Sequence, residues 1–356
     1  MKKNWFDSKV KEFSLIGGYE KPPLNENSVK LDSNENYVLS KQFQNDIVSE
    51  ARKNSDVREY PLGGVERLIQ MISKFVKVPT SMIGIGNGSD QILDLILSNF
   101  ASKQTKVLTS NPTFSFFEER CKLYSIPLIA IPFSDDMKLD VNKFLKESKN
   151  ADILYLDSPN NPTGFQFSKI ELQKLIKSFD GLIIIDEAYG EFSDYSLSSL
   201  VKTQSNLIVV RTLSKSFGMA GIRLGYFIAN KTFTDTFLNV LQYPYPLSTI
   251  TIESGILALQ KVNLMDNATK IIKIERKRII ETLQKFDTFE VFDSKANFVL
   301  FDAHSSYKRV YSALAEQGIS IRKLGKIGNH EGCLRVTIGT KEMNSKFLLA
   351  IRDLLE

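Results

Sequence analysis

Between about residues 80 and 230 the chain sets short apolar runs against stretches whose apolar residues recur at helical spacing, the alternation of βαβ units. Strands are expected over 106–109, 126–131, 152–156, 182–185, 207–210 and 225–229. Helices are expected between them over 90–100, 114–123, 141–146 and 168–178. The run Gly-Leu-Ile-Ile-Ile at 181–185 lacks polar alternation, as befits a central parallel strand covered by helices on both faces. Such a sheet presents ligands at the carboxyl ends of its strands. Beyond residue 247 the pattern changes. Residues 248–286 read as helix with a break near 262–266, followed by strands over 289–292, 297–302, 319–322 and 333–338. Further helices are expected over 306–317 and 341–354. The fold class is therefore α/β: a large, mostly parallel-sheet domain over 31–247, and a smaller α+β domain built from 248–356 with 1–30.

Composition narrows the class. At 356 residues there is room for about two domains. A hydrophobic share of 42% with 24% charged residues excludes a disordered or fibrous chain. The net charge of +5 is spread along the chain, too weak to argue for a nucleic-acid partner. No apolar run approaches the roughly 18 residues of a membrane span, and the first segment lacks the apolar core of a signal peptide. Cys121 and Cys333 cannot make a disulfide framework and suggest a reducing compartment. The only histidines, His304 and His330, argue against a His-rich metal centre or a Ser-His-Asp triad. A cytoplasmic enzyme without a metal is expected.

Candidate chemistry gathers at the predicted strand ends. Thr212-Leu-Ser-Lys-Ser-Phe-Gly-Met-Ala-Gly-Ile-Arg223 follows the strand at 207–210, so Lys215 emerges near a carboxyl end. A lysine there can act as a Schiff-base nucleophile with a lowered pKa, although taken alone it also reads as a solvated loop lysine. Thr212, Ser214 and Arg223 add hydroxyls and a cation suited to a phosphate dianion. Asp186 ends the most apolar strand, with Tyr189 close behind. A carboxylate there needs a cation, which a protonated pyridine nitrogen or an ordinary salt bridge would supply; a helix N-cap is the other reading. Ser158-Pro-Asn-Asn-Pro-Thr-Gly164 is rich in turn residues and places Asn161 at the same sheet edge. Gly86-Asn-Gly-Ser-Asp90 leads into a helix, so the Ser89 and Asp90 amides form a natural phosphate site. The glycines at 84, 86 and 88 lack the long preceding strand and full spacing of a dinucleotide fingerprint. Phe114 is either a stacking ring or a core side chain.

In this order and spacing, SPNNPTG, DEAY and TLSKSFGMAGIRLG resemble the fold-type I pyridoxal-phosphate-dependent aminotransferases over essentially the whole chain. The resemblance implies the fold-type I architecture, with pyridoxal 5'-phosphate as cofactor and Lys215 as its Schiff-base lysine. Asp186 would pair with the pyridine nitrogen, Asn161 and Tyr189 would contact the ring's 3-oxygen, and Phe114 would stack on the ring where many relatives carry Tyr. Thr212, at a position often Ser, would join Ser89, Asp90, Ser214 and Arg223 in the phosphate cup. Within the family the closest likeness is to the histidinol-phosphate aminotransferases. It rests on Leu31-Asp-Ser-Asn-Glu-Asn36, Glu59-Tyr-Pro61 and Cys333-Leu-Arg-Val-Thr-Ile-Gly-Thr340. That likeness implies a homodimer in which Tyr60 serves the partner's cofactor phosphate. Tyr19, Asn161, Arg322 and Arg335 would bind substrate, with surface salt bridges as the alternative for the arginines. The implied reaction moves an amino group between L-histidinol phosphate and 2-oxoglutarate. Threonine-phosphate decarboxylase and aromatic aminotransferase are alternatives on the same scaffold, and a nucleotide-binding dehydrogenase is the alternative from another class.

Overall fold

The computed structural model describes residues 2–18 and 28–355. The first part of the chain holds α1 (Lys2–Ser14), β1 (Val29–Leu31), α2 (Lys41–Lys53), α3 (Val65–Val76), β2 (Ile83–Asn87) and α4 (Gly88–Phe100). The central part holds β3 (Val107–Asn111), α5 (Ser115–Leu123), β4 (Leu128–Pro132), α6 (Val141–Glu147), β5 (Ile153–Asp157) and α7 (Lys169–Lys177). Next come β6 (Leu182–Asp186), β7 (Leu207–Thr212), β8 (Leu224–Ile228), α8 (Lys231–Thr236), α9 (Thr249–Leu259) and α10 (Val262–Leu283). The chain ends with β9 (Glu290–Val291), β10 (Phe298–Asp302), α11 (Tyr307–Glu316), β11 (Ile319–Ile327), β12 (His330–Thr337) and α12 (Lys341–Leu355).

The larger sheet has the order β2-β8-β7-β6-β5-β3-β4. Its strands are parallel except β8, which runs against both β2 and β7. β5, β6, β7 and β8 are buried almost throughout, as their unbroken apolar runs predict for strands covered on both faces. The smaller sheet has the order β1-β11-β12-β10-β9, with β1 parallel to β11 and the remaining pairs antiparallel. A second hydrophobic core, including Phe298, Phe301, Leu334 and Phe347, lies under it.

Several expectations shift. The glycine-rich segment is itself the edge strand β2, antiparallel to its neighbour, which removes the dinucleotide-binding alternative. The long helix breaks at Gln260–Lys261, before the expected 262–266. Ile252, Ile256 and Leu259 of α9 join the larger core, so that core extends past the expected boundary at 247. Leu31, at the other expected boundary, is paired into the smaller sheet through β1. No helix among the described residues is long and apolar enough to cross a membrane.

Candidate active site

The parallel strands deliver their terminal side chains to one cleft. Asp157 and Asp186 end β5 and β6 in direct register, and Thr212 ends β7. A cavity of about 240 Å³ opens there. Ser89, Asp90, Phe114, Asn161, Asp186, Tyr189, Thr212, Ser214, Lys215 and Arg223 all line it, together with Arg322 and Arg335 from the smaller sheet. Tyr60 does not line it: its ring is 72% exposed and stacks on Tyr245 at 4.5 Å. Tyr19 lies outside the described residues.

One end of the cleft is built around a helix start. α4 begins at Gly88, so the N-terminal end of the helix stands at the cavity that Ser89 and Asp90 line. A Cβ on Gly225 would stand 2.3 Å from Gly88 C and Ser89 N, so only glycine lets β8 pass this close. Gly88, at φ +77°, would likewise drive a Cβ to 2.5 Å from Arg223 Nη2. That guanidinium pairs with Asp90 at 2.8 Å. The Ser214 amide donates to Thr212 Oγ1 at 3.1 Å, and that hydroxyl lies 2.9 Å from Ser214 Oγ. Amides, hydroxyls and a guanidinium at a helix N-terminus suit a phosphate dianion.

The other end is acidic. Asp186 Oδ1 accepts from the Ala188 amide at 2.9 Å, and Oδ2 accepts from the Tyr155 hydroxyl at 3.3 Å. Neither partner is a cation. Burial pushes the Asp186 carboxyl up to about 7, and the neighbouring Asp157 adds to the rise. Asp157 is itself pushed up to about 6 by burial, although the Asn161 amide, Asn160 and Thr113 donate to it. A buried carboxylate this poorly compensated suits a ligand bringing its own positive charge, such as a protonated ring nitrogen. Burial lowers the Lys215 ammonium to about 8, with Arg335 and Arg223 adding to the fall and Glu35 and Asp90 opposing it. A sizeable neutral fraction of the amine is then available near neutral pH, as a nucleophile requires.

The N-terminal segment completes the cleft. Lys215 Nζ donates to the Ser33 carbonyl at 3.1 Å. Asn34, in left-handed backbone at φ 58°, donates to the Tyr189 hydroxyl at 2.9 Å. Arg335 donates to the Asp32 carbonyl at 2.9 Å and to Asn161 Oδ1. The contributions of Asp32, Ser33, Asn34, Tyr155 and Asp157 are absent from the residue-by-residue expectation. The one available signal was the Leu31–Asn36 motif itself, whose asparagines tolerate left-handed backbone.

A seven-stranded, mostly parallel sheet with a strand-end lysine, a carboxylate lacking a cation and a helix-start anion cradle defines a fold-type I transferase site. The family model "Aminotransferase class I and II" matches residues 26–351. A histidinol-phosphate aminotransferase of Thermoanaerobacter pseudethanolicus is 33% identical over 92% of this chain and 93% of its own. One from Pyrococcus furiosus is 34% identical over 92% of each chain. The crystal structure of the histidinol-phosphate aminotransferase from Clostridium acetobutylicum superposes with a TM-score of 0.83 at 28% identity, covering 91% of this chain and 98% of that one. The chain belongs to the aminotransferase class I and II family.

Proposed function

We propose that this aminotransferase holds pyridoxal 5'-phosphate in the cleft and moves an amino group between L-histidinol phosphate and 2-oxoglutarate, yielding imidazole-acetol phosphate and glutamate. The observation that carries the substrate reading is the pair Arg322 and Arg335. They stand opposite one another on β11 and β12 and line the cavity that holds Lys215. Guanidinium forks recognise phosphate and carboxylate with the same planar donors, so one site serves the phosphate of one half-reaction and the carboxylate of the other.

When bound, pyridoxal phosphate supplies a ring able to withdraw an electron pair from the carbon being deprotonated. Asp186 keeps a proton on the ring nitrogen, gaining the cation that the protein does not provide. Asn161 and Tyr189 would hold the ring's 3-oxygen, and Phe114 would cover its face. Ser89, Asp90, Thr212, Ser214 and Arg223 form the phosphate cup. The Lys215 amine would take the proton from the substrate's Cα and return it at the cofactor's C4′, acting as general base and then general acid. Arg322 and Arg335 bind the substrate's anionic end and fix Cα against Lys215. Tyr60, exposed on its own chain, serves the cup of a second subunit in a homodimer. Mixing Lys215→Ala with Tyr60→Ala subunits then restores activity in heterodimers, where one of the two sites carries neither defect. Verified subunit exchange without recovery removes the shared-site reading.

The deciding experiment is a screen of amino donors with 2-oxoglutarate as acceptor, with carbon dioxide followed in parallel. L-histidinol phosphate is expected to exceed phenylalanine by about tenfold or more in kcat/KM. Arg322→Ala is expected to lower the histidinol phosphate value roughly ten- to hundredfold, the worth of one charge-assisted hydrogen bond. Equal turnover of phenylalanine establishes the aromatic aminotransferase instead. Carbon dioxide released from threonine phosphate without a keto acid establishes the decarboxylase.

A further inference from the structure

The histidine count argued against a metal centre, yet the fold turns both histidines of the chain toward one carboxylate outside the cleft. His330 Nε2 stands 2.8 Å from the Asp135 carbonyl oxygen, which can only accept. That nitrogen therefore carries the ring's proton. Its Nδ1 then faces two more acceptors, Asp302 Oδ2 at 3.1 Å and Glu290 Oε2 at 3.4 Å. A neutral ring would aim a lone pair at two anionic oxygens, with His330 only 8% exposed and Asp302 only 2%. Positive charge is needed between them. His304 Nδ1 approaches the same Asp302 Oδ2 at 3.2 Å, where its own N–H can donate.

One divalent cation between His330 Nδ1 and the two carboxylates supplies that charge. It would meet one imidazole nitrogen and two carboxylates, whose charges it balances. The donor atoms of Glu290, Asp302 and His330 already lie within 4.8 Å of one another. The surroundings are those of an oriented ligand set. The Asp135 carbonyl fixes the His330 ring through Nε2, and Asp302 Oδ1 is held by the His304 and Gly332 amides at 2.8 and 3.0 Å. Glu290 and His304 are about half exposed, leaving a way in for the ion.

We propose that β9, β10 and β12 carry a structural site for a zinc-type dication, ligated by His330 Nδ1, Asp302 Oδ2 and Glu290 Oε2, with water completing the coordination. Imidazole with carboxylate selects zinc-like ions over magnesium or calcium, which prefer oxygen alone. The ion would clamp β12, the strand that carries Arg335, to β9 and β10. Through the Asp135 carbonyl and the Asn329–Asp135 hydrogen bond at 2.8 Å it would also tie this corner to the loop after β4.

The test uses full-length holoenzyme stripped with a chelator and dialysed, then titrated calorimetrically with Zn²⁺ alone. One ion per chain is expected to bind and to raise Tm in a concentration-dependent way. Co²⁺ is expected to give the visible absorption bands of a low-symmetry nitrogen–oxygen site. Glu290→Gln, a half-exposed change that leaves the cleft intact, is expected to weaken Zn²⁺ at least about tenfold, and His330→Gln about a hundredfold or more. Absence of saturable binding overturns the proposal, as does binding that survives both substitutions unchanged. Stabilisation by His330 that is confined to acidic pH and indifferent to Zn²⁺ also overturns it, in favour of a protonated pair.

Discussion

Two buried acids stand side by side at the end of β6 and meet different surroundings. Glu187 is enclosed by partners: the Leu197 amide and the Ser196 hydroxyl donate to it at 2.6 Å each, and Arg211 lies 3.7 Å away. Arg211 is shared with Glu191 at 2.9 Å. Burial alone would lower the Arg211 pKa, yet Glu191 and Glu187 raise it; burial raises Glu187 too, but Arg211, the Leu197 amide and Ser196 oppose that rise. Asp186, one residue earlier, has an amide and a phenol but no cation, and burial pushes it up to about 7. The alternation of a strand's end sends the two side chains to different environments. A charge whose balance is built into the fold serves stability. A charge left for a ligand to balance marks the place where chemistry is done, at a cost to the ligand-free protein.

The strongest way to break the comparison is through Lys215. Lys215→Ala is expected to lower turnover by roughly 10³-fold or more while cofactor phosphate is still retained weakly in the cup. Borohydride reduction followed by peptide mapping checks the assignment, and labelling of any other lysine overturns it.

Asp186→Asn comes next. It removes the charge while keeping the shape, so kcat is expected to fall by about a hundredfold or more, with a smaller loss of cofactor affinity. Near-normal kcat removes Asp186 from the site. The same variant has a stability signature in the cofactor-free protein. An acid held near 7 when folded, against 3.8 as its ordinary value, leaves the folded state binding more protons between those limits. Wild-type stability therefore falls as pH rises from about 4 to about 7, by no more than about 4 kcal/mol. Asp186→Asn is expected to flatten that slope, measured by denaturant titration at several pH values.

Arg211→Met sharpens the comparison from the other side. It strands Glu187 and Glu191, and a cost of about 3–5 kcal/mol in unfolding free energy is expected. The KM of the surviving folded enzyme should stay within about twofold, since Arg211 does not line the cavity. A large change in KM with unaltered Tm would erase the distinction between the two acids.

Much of the cleft was legible because its chemistry is locally encoded. The apolar run of β6 ends on Asp186, the turn after β5 presents Asn161, and the segment after β7 presents Lys215; each depends on neighbours a few residues away. Strand positions were read to within a few residues for the same reason. β1 and β2 were not: β1 is three residues held only by pairing with distant β11, and the glycines of β2 imitate a loop until they pair with β8.

What the sequence by itself determined is thus the layered α/β scheme, the strand-end lysine, the aspartate and the hydroxyl-rich anion cup. All of these follow from periodicity, turn residues and local spacing. Only the tertiary structure decided how distant segments close the site. Lys215 meets Ser33 across 182 residues, and Arg335 reaches Asp32 across 303 and Asn161 across 174. It likewise decided that Asp186 lacks a cation while Glu187 has one, and that His304 and His330 share Asp302. These outcomes depend on which surfaces two packed cores bring together, and burial around a side chain exists only once that packing has formed.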